Sequence, residues 1–148
     1  MDERLRVLFL CSANASRSQM AEGWARHLKG DAIEAYSAGV EPQAVNPLAV
    51  RVMAEARVDI SKQRSKHVRE LTGIPFDFVV TLCDQARETC PVFPGGGIRV
   101  HVGFDDPYTL TQDVGDEAKK LRVYRRVRDE IRDFVESLPA ALVFARGG

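Results

Sequence analysis

The sequence has few cysteines and no excess of charge of either sign. It contains three cysteines in 148 residues, and a small odd number argues against the disulfide framework of a secreted domain. In a reducing compartment such cysteines are more often reactive or buried than permanently bridged. Acidic and basic residues balance to a formal net charge of zero. This balance excludes a chain that attracts nucleic acid or an anionic membrane through its overall charge.

Long apolar runs are also missing, and none approaches the length of a membrane span. The N-terminal stretch Met1-Asp2-Glu3-Arg4 is acidic and too short to have signal-peptide character. We therefore expect a cytoplasmic protein that has no membrane and no nucleic-acid partner. The length and a hydrophobic content of 45% predict one domain with a proper core. We expect this domain over residues 1–139, followed by a poorly ordered tail over residues 140–148.

Four apolar runs with strand composition alternate with stretches of helical periodicity. The runs lie at residues 5–10, 33–38, 76–82 and 98–102, and the helical patterns lie at residues 18–30, 45–56 and 116–138. Strands that alternate with helices indicate βαβ units, which place the strands parallel to one another. The pattern predicts an α/β fold with an open four-stranded parallel sheet and helices on both faces.

The most informative stretch joins the first strand to the first helix. Five residues separate Cys11 from Arg17, and Ser18 follows directly. A tight loop before a helix N-terminus directs backbone N–H groups at an anion, and an arginine can hold a tetrahedral oxyanion with two hydrogen bonds. Such a field favours the thiolate form of Cys11, which is a nucleophile. A buried structural cysteine is the alternative, but it would not require Arg and Ser at these positions. The predicted oxyanion-binding residues are Ser12, Ala13, Asn14, Ala15, Ser16, Arg17 and Ser18.

These residues resemble the loop of the low-molecular-weight protein tyrosine phosphatase superfamily. Within it, the chain is most similar to the thioredoxin-coupled arsenate reductases, and the resemblance extends from Val7 to Phe134. It implies a low-molecular-weight phosphatase-like version of the α/β fold, with residues 1–139 as the catalytic domain. We expect a monomer with no cofactor and no resident metal.

Two further cysteines distinguish the arsenate reductases from the simple phosphatases. Thr81-Leu82-Cys83 is followed by Cys90-Pro91, and by resemblance the reductases carry this pair whereas the phosphatases lack it. The resemblance implies that Cys11 takes up arsenate, that Cys83 attacks the Cys11 sulfur and expels arsenite, and that Cys90 moves the disulfide to Cys83–Cys90 for reduction by thioredoxin. The alternative is that two buried cysteines merely pack.

Other site residues are also implied by the resemblance. Asn14 holds the loop, since asparagine tolerates a left-handed backbone, and Ser18 can donate its hydroxyl to the thiolate. Asp106 would protonate the departing oxygen, while Asp105 supports its loop. An ordinary Asp-Pro turn at Asp106-Pro107 is the alternative.

Lys66 departs from the pattern of several relatives, which bind potassium near the loop. By resemblance, three of their potassium ligands align with Asn14, Glu22 and Ser37 of this chain. The fourth ligand is an aspartate in these relatives, and it aligns with Lys66. A lysine would repel the ion, and its ammonium could replace it by neutralising Glu22 and bracing Asn14. A solvated surface charge at Lys66 is the alternative.

The leading hypothesis is an arsenate reductase whose substrate site also admits phosphate or sulfate as competing oxyanions and whose electron donor is thioredoxin. The second hypothesis is a phosphatase that hydrolyses phosphate monoesters through a phosphocysteine, because Tyr108 after Asp106-Pro107 resembles the phosphatases. A third hypothesis, an oxyanion-binding protein without catalysis, would leave Cys11, Arg17 and Asp106 idle.

Overall fold

Four parallel strands form one sheet in the order β2-β1-β3-β4. The structure, a computed structural model, describes residues 3–94 and 97–147. The central strand β1 pairs with β2 along its whole length and with β3 on its other side. The predicted four-stranded parallel sheet is thereby confirmed, with bounds that differ from the expected ones by one or two residues. The strands are β1 Leu5–Cys11, β2 Ile33–Gly39, β3 Phe78–Thr81 and β4 Ile98–His101.

Helices connect and cover these strands. Asn46 is the N-cap of the second helix, because its side chain accepts a hydrogen bond from the Leu48 N–H at 2.8 Å. A short 3-10 helix spans Val68–Leu71. The fourth helix has only four residues and was not expected from the periodicity. The α-helices are α1 Arg17–Lys29, α2 Pro47–Glu55, α3 Asp84–Thr89, α4 Pro107–Leu110, α5 Glu117–Glu136 and α6 Ala140–Gly147.

Both faces of the sheet are buried, as predicted. Alternate side chains of β1 point to opposite faces, so Val7 and Phe9 pack in the cluster that contains residues of α1, α2 and α5. Leu8 and Leu10 pack on the other face, with residues of the 3-10 helix and of α3. All four side chains are completely buried, and each burial contributes about 1.5–3 kcal/mol.

Residues 140–147, where the sequence predicts a poorly ordered tail, form a helix in the structure. Residues Ala140–Gly147 form α6, and Leu142 is 1% exposed within the core cluster of α1 and α5. One buried leucine in a short apolar stretch anchors a helix that isolated propensity would not stabilise. Gly148 lies outside the described residues.

Among the described residues, no helix has the length and apolar character needed to cross a membrane.

The sheet brings the predicted chemistry to one edge. β1 ends at Cys11, β3 is followed by Cys83, and β4 leads to the loop that contains Asp106. In open α/β sheets, ligands bind outside the carboxyl ends of the strands. The parallel arrangement of β1, β3 and β4 therefore gathers these three side chains near the same place.

Candidate active site

The loop between β1 and α1, residues 11–18, is held from outside through its carbonyl groups. We call it the cysteine loop. Five neighbouring groups donate to the carbonyls of four of its residues at 2.8–3.1 Å: Glu41 N to Ser12 O, Gln43 N and Ser65 Oγ to Ala13 O, Gln19 Nε2 to Asn14 O, and Asn46 N to Ala15 O. Because the C=O and N–H of a peptide point in opposite directions, carbonyls bound outward leave N–H groups available for a central anion.

Close approach of β2 supports the same loop. A Cβ on Gly39 would lie 2.7 Å from Ser12 O and 2.9 Å from Asn14 N, so any larger residue would displace the loop. Asn14 itself has a positive φ of 51°, a conformation that asparagine tolerates better than most residues. The loop shape therefore depends on one glycine outside it and one asparagine within it.

Cys11 lies at the bottom of the loop and is 2% exposed. Its sulfur is 2.9 Å from Ser18 Oγ and accepts a hydrogen bond from the Asn14 N–H at 3.3 Å. It also lies just before the N-terminus of α1, where the helix dipole favours negative charge. These contacts suit a thiolate nucleophile.

Arg17 and Asp106 meet above the loop. Arg17 is 9% exposed and donates to Phe104 O at 3.2 Å, and its other guanidinium nitrogen is 3.6 Å from Asp106 Oδ2. Both residues line a cavity of 380 Å³ together with Cys11. The cavity therefore contains a nucleophile, a cationic fork and a carboxyl group, as phosphoryl-type transfer to sulfur requires.

The two neighbouring aspartates have different environments. Asp106 caps α4, since its Oδ1 accepts from Tyr108 N at 3.0 Å and its Oδ2 from Thr109 Oγ1 at 2.9 Å. Asp105 does not line the cavity and instead pairs with Arg126 on α5 at 3.2 Å. Asp106 is thus the carboxyl group that lines the cavity, while Asp105 ties its loop to α5.

The second thiol contacts the cysteine loop. Cys83 Sγ is 3.2 Å from Ser12 Oγ, although 71 residues separate them in sequence. Cys83 is the N-cap of α3 and Cys90 is its C-cap. We call residues 83–94, which contain α3 and the turn after it, the relay segment. All three cysteines are free thiols.

Cys90 is half-buried at the far end of α3 and does not line the active-site cavity. Burial raises the pKa of the Cys90 thiol above its ordinary value of 9.0, and Arg99 offsets part of this effect. Burial thus favours the protonated thiol of Cys90 over the reactive thiolate.

Behind the loop, Asn14 connects to a buried carboxylate. Asn14 Nδ2 donates to Ser18 Oγ at 2.8 Å and to Ser37 Oγ at 3.0 Å. Ser37 Oγ in turn donates to Glu22 Oε1 at 2.6 Å, and Glu22 is 2% exposed. A buried carboxylate requires a partner of opposite charge.

Lys66 and Arg26 provide this charge. Lys66 Nζ is 3.8 Å from Glu22 Oε1 with its side chain only 12% exposed, and Arg26 is 2.9 Å from Glu22 Oε2. The Lys66 backbone N–H also donates to Asn14 Oδ1 at 3.0 Å. Burial lowers the pKa of Lys66, an effect that Glu22 opposes. Lys66 is therefore a partner of the buried network and not a free surface charge.

Sequence reasoning missed three groups of the cavity wall. Gln43, Ala44 and Asn46 line the cavity beside Tyr108, yet none of them belongs to a sequence motif that marks a functional residue. Their position after β2, at the carboxyl edge of the sheet, could have identified them. No group of three or more His, Cys, Asp or Glu side chains suited to a metal occurs within residues 3–94 and 97–147.

The chain is similar to proteins named arsenate reductase and to a low molecular weight protein tyrosine phosphatase. An arsenate reductase of Halalkalibacterium halodurans is 47% identical over 125 residues, which are 84% of this chain and 88% of the relative. A solved arsenate reductase in the oxidized state superposes with a TM-score of 0.74 at 33% identity, covering 95% of this chain and 98% of that one. The low molecular weight protein tyrosine phosphatase from T. tengcongensis gives a TM-score of 0.69 at 28% identity, covering 90% and 97%.

The fold is thus the expected phosphatase-like one, shared by reductases and phosphatases. The family model described as low molecular weight phosphotyrosine protein phosphatase matches residues 6–144. This match covers nearly the whole chain and includes both the cysteine loop and the relay segment. The chain belongs to the low-molecular-weight phosphotyrosine protein phosphatase family.

Proposed function

We propose that this protein reduces arsenate to arsenite through a relay of three thiols that thioredoxin regenerates. The observation that carries the proposal is the 3.2 Å contact between Cys83 Sγ and Ser12 Oγ. A hydrolase that acts through a phosphocysteine needs no second thiol beside its loop. The similarity to proteins named arsenate reductase supports the same choice.

In the first step, the Cys11 thiolate attacks arsenic and an arsenate oxygen leaves as water. The loop N–H groups and Arg17 hold the remaining oxygens and stabilise the charge that develops on them. Asp106, at 3.6 Å from Arg17, would supply the proton for the departing oxygen. The product is arsenic(V) bonded to the Cys11 sulfur.

The second step is the reduction. The Cys83 thiolate attacks Cys11 Sγ, the sulfur–arsenic bond breaks, and its electron pair stays with arsenic, which leaves as arsenite. Two thiols have then become the Cys11–Cys83 disulfide, which accounts for the two electrons gained by arsenic. The Ser12 hydroxyl can hydrogen-bond to the Cys83 sulfur before this attack.

The third step regenerates the loop. Cys90 loses its proton to solvent and attacks the Cys83 sulfur, the Cys11–Cys83 bond breaks, Cys11 leaves as the thiolate, and a Cys83–Cys90 disulfide remains. The dithiol of thioredoxin would reduce this disulfide and supply the two electrons. Val92, which is 85% exposed two residues after Cys90, supports an approach of the donor from this side. We propose further that the protein works as a monomer in the cytoplasm, with phosphate and sulfate as competing oxyanions.

The test is NADPH oxidation coupled through thioredoxin reductase and thioredoxin, compared with p-nitrophenyl phosphate hydrolysis by the same sample. Cys83→Ser and Cys90→Ser should each abolish arsenate-dependent turnover and preserve any hydrolysis. Cys11→Ser should abolish both. Arsenate turnover that survives in Cys90→Ser with thioredoxin as the donor would contradict the relay.

A phosphatase acting on phosphate monoesters is the second candidate, and Tyr108 favours it. Tyr108 lines the active-site cavity and is 57% exposed, so its ring could contact an aromatic leaving group. Hydrolysis that is unchanged in Cys83→Ser, without arsenate reduction by the unmodified protein, would establish this function instead.

A further inference from the structure

A second concave site lies apart from the candidate active site. It has a volume of 320 Å³ and shares no lining residue with the active-site cavity. Small-molecule sites span about 300–1,000 Å³, so this site suits a small ligand. We call it the basic depression, and its lining residues come from α1 and from the segment after α2: Gly23, Arg26, His27, Arg57, Val58, Asp59, Lys62 and Gln63.

Positive charge predominates in the basic depression. Arg26, Arg57 and Lys62 face a single carboxylate, Asp59. Asp59 Oδ1 already accepts from the backbone N–H and the hydroxyl of Ser61 at 2.8 and 2.5 Å. Within residues 3–94 and 97–147, Arg57 has no ion-pair partner and no hydrogen-bond acceptor for its side chain. A concave surface on which one sign of charge predominates attracts ligands of the opposite sign.

The backbone of Arg57 adds an independent observation. Arg57 has a φ of 65° directly after α2, where Val58 N donates to Met53 O at 3.0 Å. Glycine is the usual residue at such a helix end, and the left-handed conformation costs other residues roughly 1–2 kcal/mol. A guanidinium therefore lines the depression from a position that glycine would occupy with less strain, which points to a use for the side chain.

One hydrogen-bonded chain leads from the depression to the cysteine loop through Gln63. Gln63 Nε2 donates to Gln19 O at 3.0 Å and to Gln19 Oε1 at 2.8 Å. Gln19 Nε2 donates in turn to the Asn14 carbonyl at 3.0 Å. Gln19 is completely buried, so this chain is shielded from solvent at its centre.

A second chain leads to the same asparagine through Arg26. Arg26 pairs with Glu22 at 2.9 Å, and Glu22 accepts from Ser37 Oγ, which accepts from Asn14 Nδ2. Asn14 therefore connects with the basic depression through both its backbone carbonyl and its side chain.

We propose that the basic depression binds a small multivalent oxyanion, of which inorganic diphosphate is the simplest probe, and that its occupancy lowers the reactivity of Cys11. The guanidinium groups of Arg26 and Arg57 hold oxyanions with paired hydrogen bonds, and Lys62 adds a point charge. An anion that shares Arg26 weakens the pairing of Arg26 with Glu22. More negative charge then remains behind Asn14, and this charge disfavours the thiolate.

Isothermal titration calorimetry with diphosphate tests the binding independently of any enzymatic activity. The unmodified protein should bind two equivalents, one of them in the cysteine loop. Arg17→Ala, which lacks the guanidinium of the loop, should bind one. Adding Arg57→Gln and Lys62→Gln to Arg17→Ala should weaken that binding at least tenfold. The matched control, Lys119→Gln with Arg122→Gln on the exposed side of α5, removes the same charge elsewhere and should leave it unchanged.

Two results would overturn the site. In the first, the unmodified protein binds a single equivalent of diphosphate, and Arg57→Gln with Lys62→Gln does not change this binding. In the second, Arg57→Gln with Lys62→Gln and Lys119→Gln with Arg122→Gln weaken diphosphate binding equally. The first assigns all binding to the cysteine loop, and the second shows only a general charge effect. The effect of Arg57→Gln with Lys62→Gln on binding by a protein that retains Arg17 decides the question even if Arg17→Ala fails to fold.

The connection to the loop has its own measurement. In Arg17→Ala, the backbone amide of Asn14 and the side-chain amides of Asn14 and Gln19 should shift in ¹⁵N spectra with the midpoint found by calorimetry. In Arg17→Ala saturated with diphosphate, iodoacetamide should alkylate Cys11 about fivefold more slowly than in Arg17→Ala without diphosphate. A factor of about five is at the lower end of typical coupling between sites. Binding without any shift at Asn14 would contradict the coupling.

Discussion

The cysteine loop and the relay segment differ in how firmly the fold holds them. In the loop, Cys11, Asn14 and Ser18 are at most 2% exposed, and neighbouring donors bind the carbonyls from outside. In the relay segment, α3 has a single fully buried residue, Ala86, and Val92 is 85% exposed. Segments with few buried contacts open at low free-energy cost. One region is built to keep its geometry and the other can change it.

The proposed chemistry requires this difference. Cys83 and Cys90 are the two caps of α3, and a helical rise of about 1.5 Å per residue over seven residues separates their Cα atoms by roughly 10 Å. A disulfide needs Cα atoms within about 7 Å. The Cys83–Cys90 bond therefore cannot form on the intact helix, and α3 must partly unwind.

The largest expected effect lies at the cavity. Asp106→Asn retains the size of the side chain but cannot donate a proton, and general acid catalysis contributes about 10²–10⁴-fold. Arsenate turnover in the thioredoxin-coupled assay should fall on that scale. Asp105→Asn should lower it far less, because Asp105 pairs with Arg126 outside the cavity. The opposite ranking would mean that Asp105 is the acid.

The second-largest effect concerns the free energy of unfolding, which a substitution in the cysteine loop should lower more than one in the relay segment. Asn14→Ala removes hydrogen bonds to Ser18, Ser37 and Lys66, and each buried group left unpaired costs about 1–3 kcal/mol. We expect a loss of about 3 kcal/mol or more in the free energy of unfolding, measured by urea denaturation.

The matched change in the relay segment is Thr89→Ala, which removes one exposed hydrogen bond to Gln85 O. It should cost less than about 0.5 kcal/mol. Equal losses in the two variants would show that the loop is no more firmly held than the relay segment.

Lys66 should give a smaller, pH-dependent effect. Because burial lowers its folded-state pKa below 10.5, the charged lysine costs folding free energy at neutral pH. The free energy of unfolding therefore increases as the pH rises from the folded-state pKa of Lys66 to its unfolded-state value of about 10.5. Lys66→Met should remove this alkaline rise and raise the Tm at pH 7 slightly, because the cost of burying the charge disappears while Arg26 still pairs with Glu22.

The same lysine predicts the response to salts. If its ammonium takes the place of a potassium ion, activity and Tm of the unmodified protein should be indifferent to potassium against sodium at equal ionic strength. Lys66→Asp should create a dependence on potassium. Clear activation of the unmodified protein by potassium would refute this role of Lys66.

The sequence indicated those parts whose signals are local. Strand composition and helical periodicity predicted the parallel sheet, and the spacing of Cys11 and Arg17 predicted a loop at the end of β1. The contact of Ser12 with Cys83 joins residues 71 positions apart, and no spacing rule predicts it. The order of α6 depends on the burial of Leu142 in the core, which is a tertiary effect that local composition does not reveal.

The most direct test of the relay is amide hydrogen exchange in the reduced protein and in the oxidised protein, with the Cys83–Cys90 bond verified by mass spectrometry. Unwinding of α3 breaks its backbone hydrogen bonds, so residues 83–94 should exchange faster in the oxidised protein. Residues 11–18 should be equally protected in both states, because the disulfide has left Cys11. Equal protection of residues 83–94 in the two redox states would contradict the account, since it would mean that the disulfide forms without unwinding the helix.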